Sequence, residues 1–229
     1  MWNFLVEGGP FMILLVLTSI VGVAFIIERG LALRWNKVIP PNVEEVMTNC
    51  RNAQNLVLLR QVCDRHPSSF SRLLLTAADH LSWSKEENVE AIETKARREV
   101  LQLERGLVVL EVVVGIAPLL GLVGTIHGLI TLFGDMGKAG LSDNAVLAKG
   151  IAIALNTTLT GLLIAIPSLV AWSYFNKKVE RLSVEMEGLC DEFLRQQYNP
   201  ESNGSSVTPG STPVPAPAPG PAPSPARAR

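Results

Sequence analysis

The sequence predicts an all-α membrane protein with three transmembrane helices, the second and third extending into a cytoplasmic helical bundle. Three observations carry this. Apolar runs at about 11–27, 107–133 and 145–175 reach the roughly 17–25 residues a spanning helix needs. Apolar residues also recur at intervals of three and four beyond those runs. Lysine and arginine, finally, lie almost wholly on one side of them. The 229 residues are 48% hydrophobic with a mean hydropathy of +0.28, and a net charge of -1 gives no electrostatic case for nucleic acid. Cys50, Cys63 and Cys190 are odd in number, and with His66, His80 and His127 they show no metal-ligand spacing. No metal site is expected, and the cysteines read as reduced packing residues.

The first run, within residues 1–28, is closed by Glu28-Arg29. Its basic residues follow the apolar stretch rather than precede it, which favours a span over a signal peptide. Pro10 suits a first helical turn, where its missing N–H costs nothing. Residues 29–106 read as a polar helical domain. Asn42 can cap a short helix carrying Val43, Val46 and Met47. A second helix covers 53–65 and stops at His66-Pro67, because the residue before proline avoids helical geometry. Ser68 or Ser69 starts a third, to about Leu81. Ser84 with Glu87 forms a capping-box pattern and opens a long helix with Val89, Ile92, Ala96, Val100, Leu103 and Leu107 on one stripe. With no breaker before 107–133, one continuous rod is expected from the cytoplasm through the bilayer.

Residues 134–144 form a short loop, and 145–175 the third span. The helix then continues over 176–198 with Val179, Leu182, Met186, Leu189 and Phe193 in register. Each stripe alone fits packing on its own chain; together they suggest a bundle extended by oligomerisation. Residues 199–229 hold nine of the fifteen prolines amid alanine, glycine and serine. This composition cannot bury a core and predicts a disordered tail, either solubilising or partner-docking. Of the twenty lysines and arginines, eighteen lie in 29–106 and after 175. The positive-inside rule therefore puts these segments in the cytoplasm and the N-terminus and the 134–144 loop outside.

The spans contain more small and polar residues than lipid exposure requires. Gly121, Thr125 and Gly128 make a strip on the second span, flanked by Gly124; Ala154, Thr158, Gly161 and Ala165 make one on the third. Such strips let helix backbones approach closely, with hydroxyls bonding across the contact or back to their own helix. For the glycines packing suffices. Thr125, Asn156, Thr157, Thr158 and Thr160 exceed what packing needs and are candidates for a polar path. Glu111 either relays protons or snorkels to the interface. His127 is an intramembrane ionisable group and so a candidate site, with Thr131 as a possible local partner; it points nearly opposite to Thr125. Pro118 and Pro167 could bend their helices. No nucleophile-base arrangement, phosphate loop or metal cluster points to an enzyme.

The run Ala117-Pro118-Leu119-Leu120-Gly121-Leu122-Val123-Gly124-Thr125 resembles the ExbB/TolQ/MotA proton-channel family. So do Gly150-Ile151-Ala152, the segment from Leu155-Asn156-Thr157-Thr158 to Gly161-Leu162, and Ala165-Ile166-Pro167, with Leu103-Glu104-Arg105-Gly106-Leu107 ahead of the second span. The resemblance covers about residues 1–198 and is to the three-span ExbB/TolQ branch. It implies a bacterial inner-membrane subunit, a homopentamer around a dimeric single-span ExbD/TolR-like partner, and protons as the transported ion with no cofactor. The partner's membrane aspartate would carry the proton past threonines matching Thr125 and Thr158. Motion would then pass to a TonB/TolA-like or other envelope effector. One departure stands out. Relatives of this branch often have a glutamate where this chain has Ile153, so any role for that group is absent here or has moved to Glu111 or His127.

Overall fold

A computed structural model of the chain describes residues 9–50, 53–139 and 144–198. The described residues are all helical or connecting: α1 (Gly9–Ala32), α2 (Trp35–Val38), α3 (Pro41–Thr48), α4 (Ala53–Arg65), α5 (Ser69–Asp79), α6 (Lys85–Glu104), α7 (Leu107–Ala139) and α8 (Asn144–Tyr198). Helices α1, α7 and α8 are long and apolar enough to cross a membrane. The tail over 199–229 lies outside the described residues, as does the start of the chain. At 55 residues, α8 is roughly 80 Å long, far beyond a bilayer's ~30 Å hydrocarbon core.

The helix starts follow local chemistry. At α6, Ser84 Oγ accepts from the Glu87 N–H and the Glu87 carboxylate accepts from the Ser84 N–H, which closes the capping box. At α5, Ser68 Oγ accepts from the Ser71 N–H at 3.0 Å. The Asn42 cap does not form. Pro41 occupies the first turn of α3 and Pro40 the capping position, so the helix starts before Asn42, whose amide instead lies 3.4 Å from the His66 ring.

The expected rod from α6 into α7 is interrupted at Arg105-Gly106. A tertiary contact falls on the break, beside a glycine of low helix propensity. Arg29, at the end of α1, donates from Nη1 to the Leu103 carbonyl at 3.2 Å. Its guanidinium lies so close to Gly106 that a Cβ there would fall 2.2 Å from Nε. A side chain entering the hydrogen-bond ladder breaks a helix locally. Residues 134–139, read as part of a loop, are helical, because α7 continues to Ala139 beyond its apolar run.

Outside the spans, one core joins Leu33, Met47, Leu59, Phe70, Leu74 and Ile92 to Leu182, Met186 and Phe193 of α8. The 176–198 stripe is thus buried within its own chain, and it no longer argues for oligomerisation. Glu99 interrupts the apolar side of α6 at 1% side-chain exposure and pairs with Arg72 and Lys95. Burial alone would raise its carboxyl; the Arg72 hydrogen bonds and charge, aided by Ser69 and Lys95, hold it below the usual range. Cys50, Cys63 and Cys190 are free and buried, and burial pushes the Cys63 thiol up to about 11.

Candidate functional site

The α7–α8 contact is the most extensive between any two helices, with α1 laid against both. Two glycines set its spacing. A Cβ on Gly161 would meet the Ala117 carbonyl oxygen at 2.6 Å, and one on Gly121 the Thr157 carbonyl oxygen at 3.0 Å. Backbone atoms cannot step aside as a flexible side chain can, so both positions require glycine for this approach. Gly124 faces Thr157 and Gly128 faces Ala154 along the same seam.

Close approach brings three hydroxyls together. Thr125 Oγ1 donates to the Ala154 carbonyl of the opposite helix at 3.0 Å, with the Gly121 carbonyl as an alternative acceptor at 3.1 Å. It is also hydrogen-bonded to the Thr158 hydroxyl and lies 3.4 Å from that of Thr157. Thr158 Oγ1 is 3.2 Å from the Gly121 carbonyl, and Thr157 Oγ1 donates to the Ala154 carbonyl at 2.7 Å. Each hydroxyl has one proton but several acceptors in reach, so the bonds can be redistributed without moving a helix. The cluster carries no formal charge. Thr157 is fully buried, whereas Thr125 and Thr158 are half-buried. Near them in sequence, Leu122 and Ile126 on α7 and Leu155 and Leu159 on α8 are exposed apolar residues. A hydroxyl accepts from a protonated carboxyl and donates to an ionised one, so this pair can solvate either state of an acid brought against it.

The other candidates are not gathered here. Glu111 is exposed and lies 14 residues before Thr125 on the same helix, about 21 Å along its axis. His127 is exposed, and its ring packs on Phe11 of α1 at 5.3 Å between centroids. Thr131 donates to the His127 backbone carbonyl at 3.0 Å, so the local pairing bypasses the imidazole. Asn156 is half-buried, and its backbone carbonyl accepts from Thr160 at 2.8 Å. Pro118 and Pro167 are accommodated inside α7 and α8, and neither ends its helix. Among the described residues no three His, Cys, Asp or Glu side chains could hold a metal ion.

Sequence reasoning missed the acceptors of the cluster, the Gly121 and Ala154 carbonyls, since carbonyls carry no residue-type signal. It also missed Ser168, buried against α1 near Gly22. A serine four residues beyond Ile164, with a small residue on a facing helix, was the available clue.

Residues 66–188 match the MotA/TolQ/ExbB proton channel family. An ExbB-like biopolymer transport protein of Synechocystis sp. is 34% identical over 173 residues, covering 72% of this chain and 66% of its own length. The biopolymer transport protein ExbB of Helicobacter pylori is 39% identical over 83 residues, covering 36% of this chain and 57% of its own. That of Aquifex aeolicus is 32% identical over 104 residues, with 45% and 70% covered. The chain therefore spans somewhat under two thirds of the length of the first two of these relatives and slightly more of the third. The matched segment contains all of α7, most of α8 and every hydroxyl of the cluster. The chain belongs to the MotA/TolQ/ExbB proton channel family.

Proposed function

We propose that this chain is the channel subunit of an ion-driven motor in a bacterial inner membrane, and that Thr125 and Thr158 form the wall past which a partner's carboxyl group moves. The observation that carries this is the neutral, rearrangeable hydroxyl cluster in an apolar surface. A carboxylate in a low-dielectric setting has a raised pKa and costs much to ionise; hydroxyls lower that cost without fixing the proton. Among the described residues no titrating side chain is hydrogen-bonded to the cluster. The acid therefore comes from another chain, an ExbD/TolR-like single-span helix with an aspartate. Protons are the transported ion. Five copies around a partner dimer, with the N-terminus outside and the C-terminus in the cytoplasm, complete the arrangement. The driven process is TonB-type import, Tol-type envelope maintenance or gliding, according to the soluble domain of the partner.

A scaffold with no ion flux is the rival reading, since the glycine seam alone would serve packing. The two differ in a simple experiment. Thr125→Val with Thr158→Val preserves shape and removes both hydroxyls. Under the channel reading the subunits still assemble and co-purify with an aspartate-bearing partner, but proton-driven work in cells stops. Full work in the double variant would refute the channel role of these residues.

A further inference from the structure

We propose that the chain holds the headgroup of an anionic phospholipid where α1 leaves the membrane. A concave site of about 800 Å³ is lined there by Leu31, Arg34, Trp35, Asn36, Lys37 and Lys178. Three of the six are cations and none is a carboxylate. Among the described residues no ion pair uses Arg34, Lys37 or Lys178. Neighbouring cations are neutralised within the chain: Arg29 pairs with Glu28 at 2.5 Å and Lys177 with Glu180 at 2.7 Å. The site therefore concentrates positive charge that no described side chain answers.

Its backbone is fixed. Val38, the last residue of the four-residue turn α2, and Leu33 and Ile39 on either side of it are buried in the core, and the Ile39 N–H donates to the Trp35 carbonyl at 2.8 Å. Arg34 and Lys37 are thereby held on one rigid turn, with Lys178 supplied by α8. The Lys178 ammonium also lies 5.8 Å from the centre of the exposed Tyr174 ring. Tryptophan and tyrosine beside lysine and arginine at the end of a span are the residue types of the headgroup region.

The apolar approach identifies a lipid rather than a soluble anion. Val23, Ile27 and Leu31 follow one another at intervals of four on α1, and all three are exposed. They form a track along the span that ends in the basic site. An acyl chain can lie on this track while its phosphate meets Arg34, Lys37 and Lys178 and its glycerol region meets Asn36 and Trp35. A unit cation about 4 Å from a single lipid's negative charge strengthens association roughly fivefold even at the dielectric of water.

The test uses the full chain reconstituted in phosphatidylcholine vesicles with trace spin-labelled phosphatidylglycerol or phosphatidylcholine. The quantity read is the relative association of each label with the protein. The wild type should prefer phosphatidylglycerol by at least about fivefold at low salt, where the charge contacts are least screened. The R34Q/K37Q/K178Q variant should lose that preference, and the charge-conserving R34K/K37R/K178R variant should keep it, which separates loss of charge from loss of fold. Equal association of the two labels with the wild type would overturn the proposal, as would a preference that survives the glutamine substitutions. So would displacement by inorganic phosphate beyond that caused by sodium chloride of the same ionic strength, since this would mark a soluble-phosphate site.

Discussion

At the scale of single residues, similar-looking side chains separate sharply by their surroundings. Gly161 and Gly115 both lie in spans, but a Cβ at Gly161 meets the Ala117 carbonyl at 2.6 Å while one at Gly115 meets nothing within 4 Å. Gly161→Ala should therefore cost about 1–3 kcal/mol through overpacking. Gly115→Ala should be neutral or stabilise by up to ~1 kcal/mol through helix propensity. Thermal unfolding of the detergent-solubilised chain measures both. Glu99 gives a pH prediction. Its folded-state pKa is lowered, so its contribution is present above the ordinary carboxylate value of about 4.3 and is lost as pH falls through the lowered one. Glu99→Gln should flatten the acid limb of the stability profile. It should cost about 2 kcal/mol at neutral pH, below the ~3–5 kcal/mol of a fully buried pair, because the Arg72 side chain is 41% exposed. Glu99 was legible in part. It stands three residues after Ala96 and four before Leu103 on the buried stripe, where a charge needs a partner, but the identity of that partner depends on how α5 packs.

At the scale of elements, what the sequence revealed depended on whether the cause was local. The α6 start, the α4 limits and the three spans follow from caps, a proline and hydropathy, and each lies where the local pattern put it. The break between α6 and α7 was only partly legible, because the Arg29 contact with the Leu103 carbonyl comes from 74 residues away. Gly106 was the local sign of weakness at this point, and the long-range contact falls on it. The same contact makes a prediction about coupling. Arg29→Ala and Gly106→Ala each dislodge the guanidinium from its seat, the first by deletion and the second by occupying its space. Their destabilisations should not add, and a double-mutant cycle in thermal unfolding should give a coupling of about 1 kcal/mol. Additive costs would mean that Arg29 acts elsewhere.

At the scale of the whole molecule, the fold divides the labour between two regions. The core outside the membrane closes within one chain, while the spans leave Leu122, Leu155, Leu159 and Leu163 uncovered, available to lipid or to other subunits. The hydroxyl cluster sits where these exposed surfaces meet a glycine seam. Of the candidate site, the threonines were visible in the sequence as an excess of polar groups. Their pairing across the helix contact followed from the two small-residue strips and the family resemblance, but which hydroxyl meets which carbonyl depends on the register of α7 against α8 and was not visible. Glu111 and His127 lie apart from the cluster, so Glu111→Gln and His127→Ala should each retain most of the proton flux of the assembled complex. The decisive measurement is that flux, followed with a pH-sensitive dye in proteoliposomes containing the subunit and its aspartate-bearing partner. It compares wild type with Thr125 and Thr158 both changed to valine or both to serine. Serine, which keeps the hydroxyls, should sustain flux, and valine should abolish it in an intact complex; valine flux equal to wild type would rule out the hydroxyl wall.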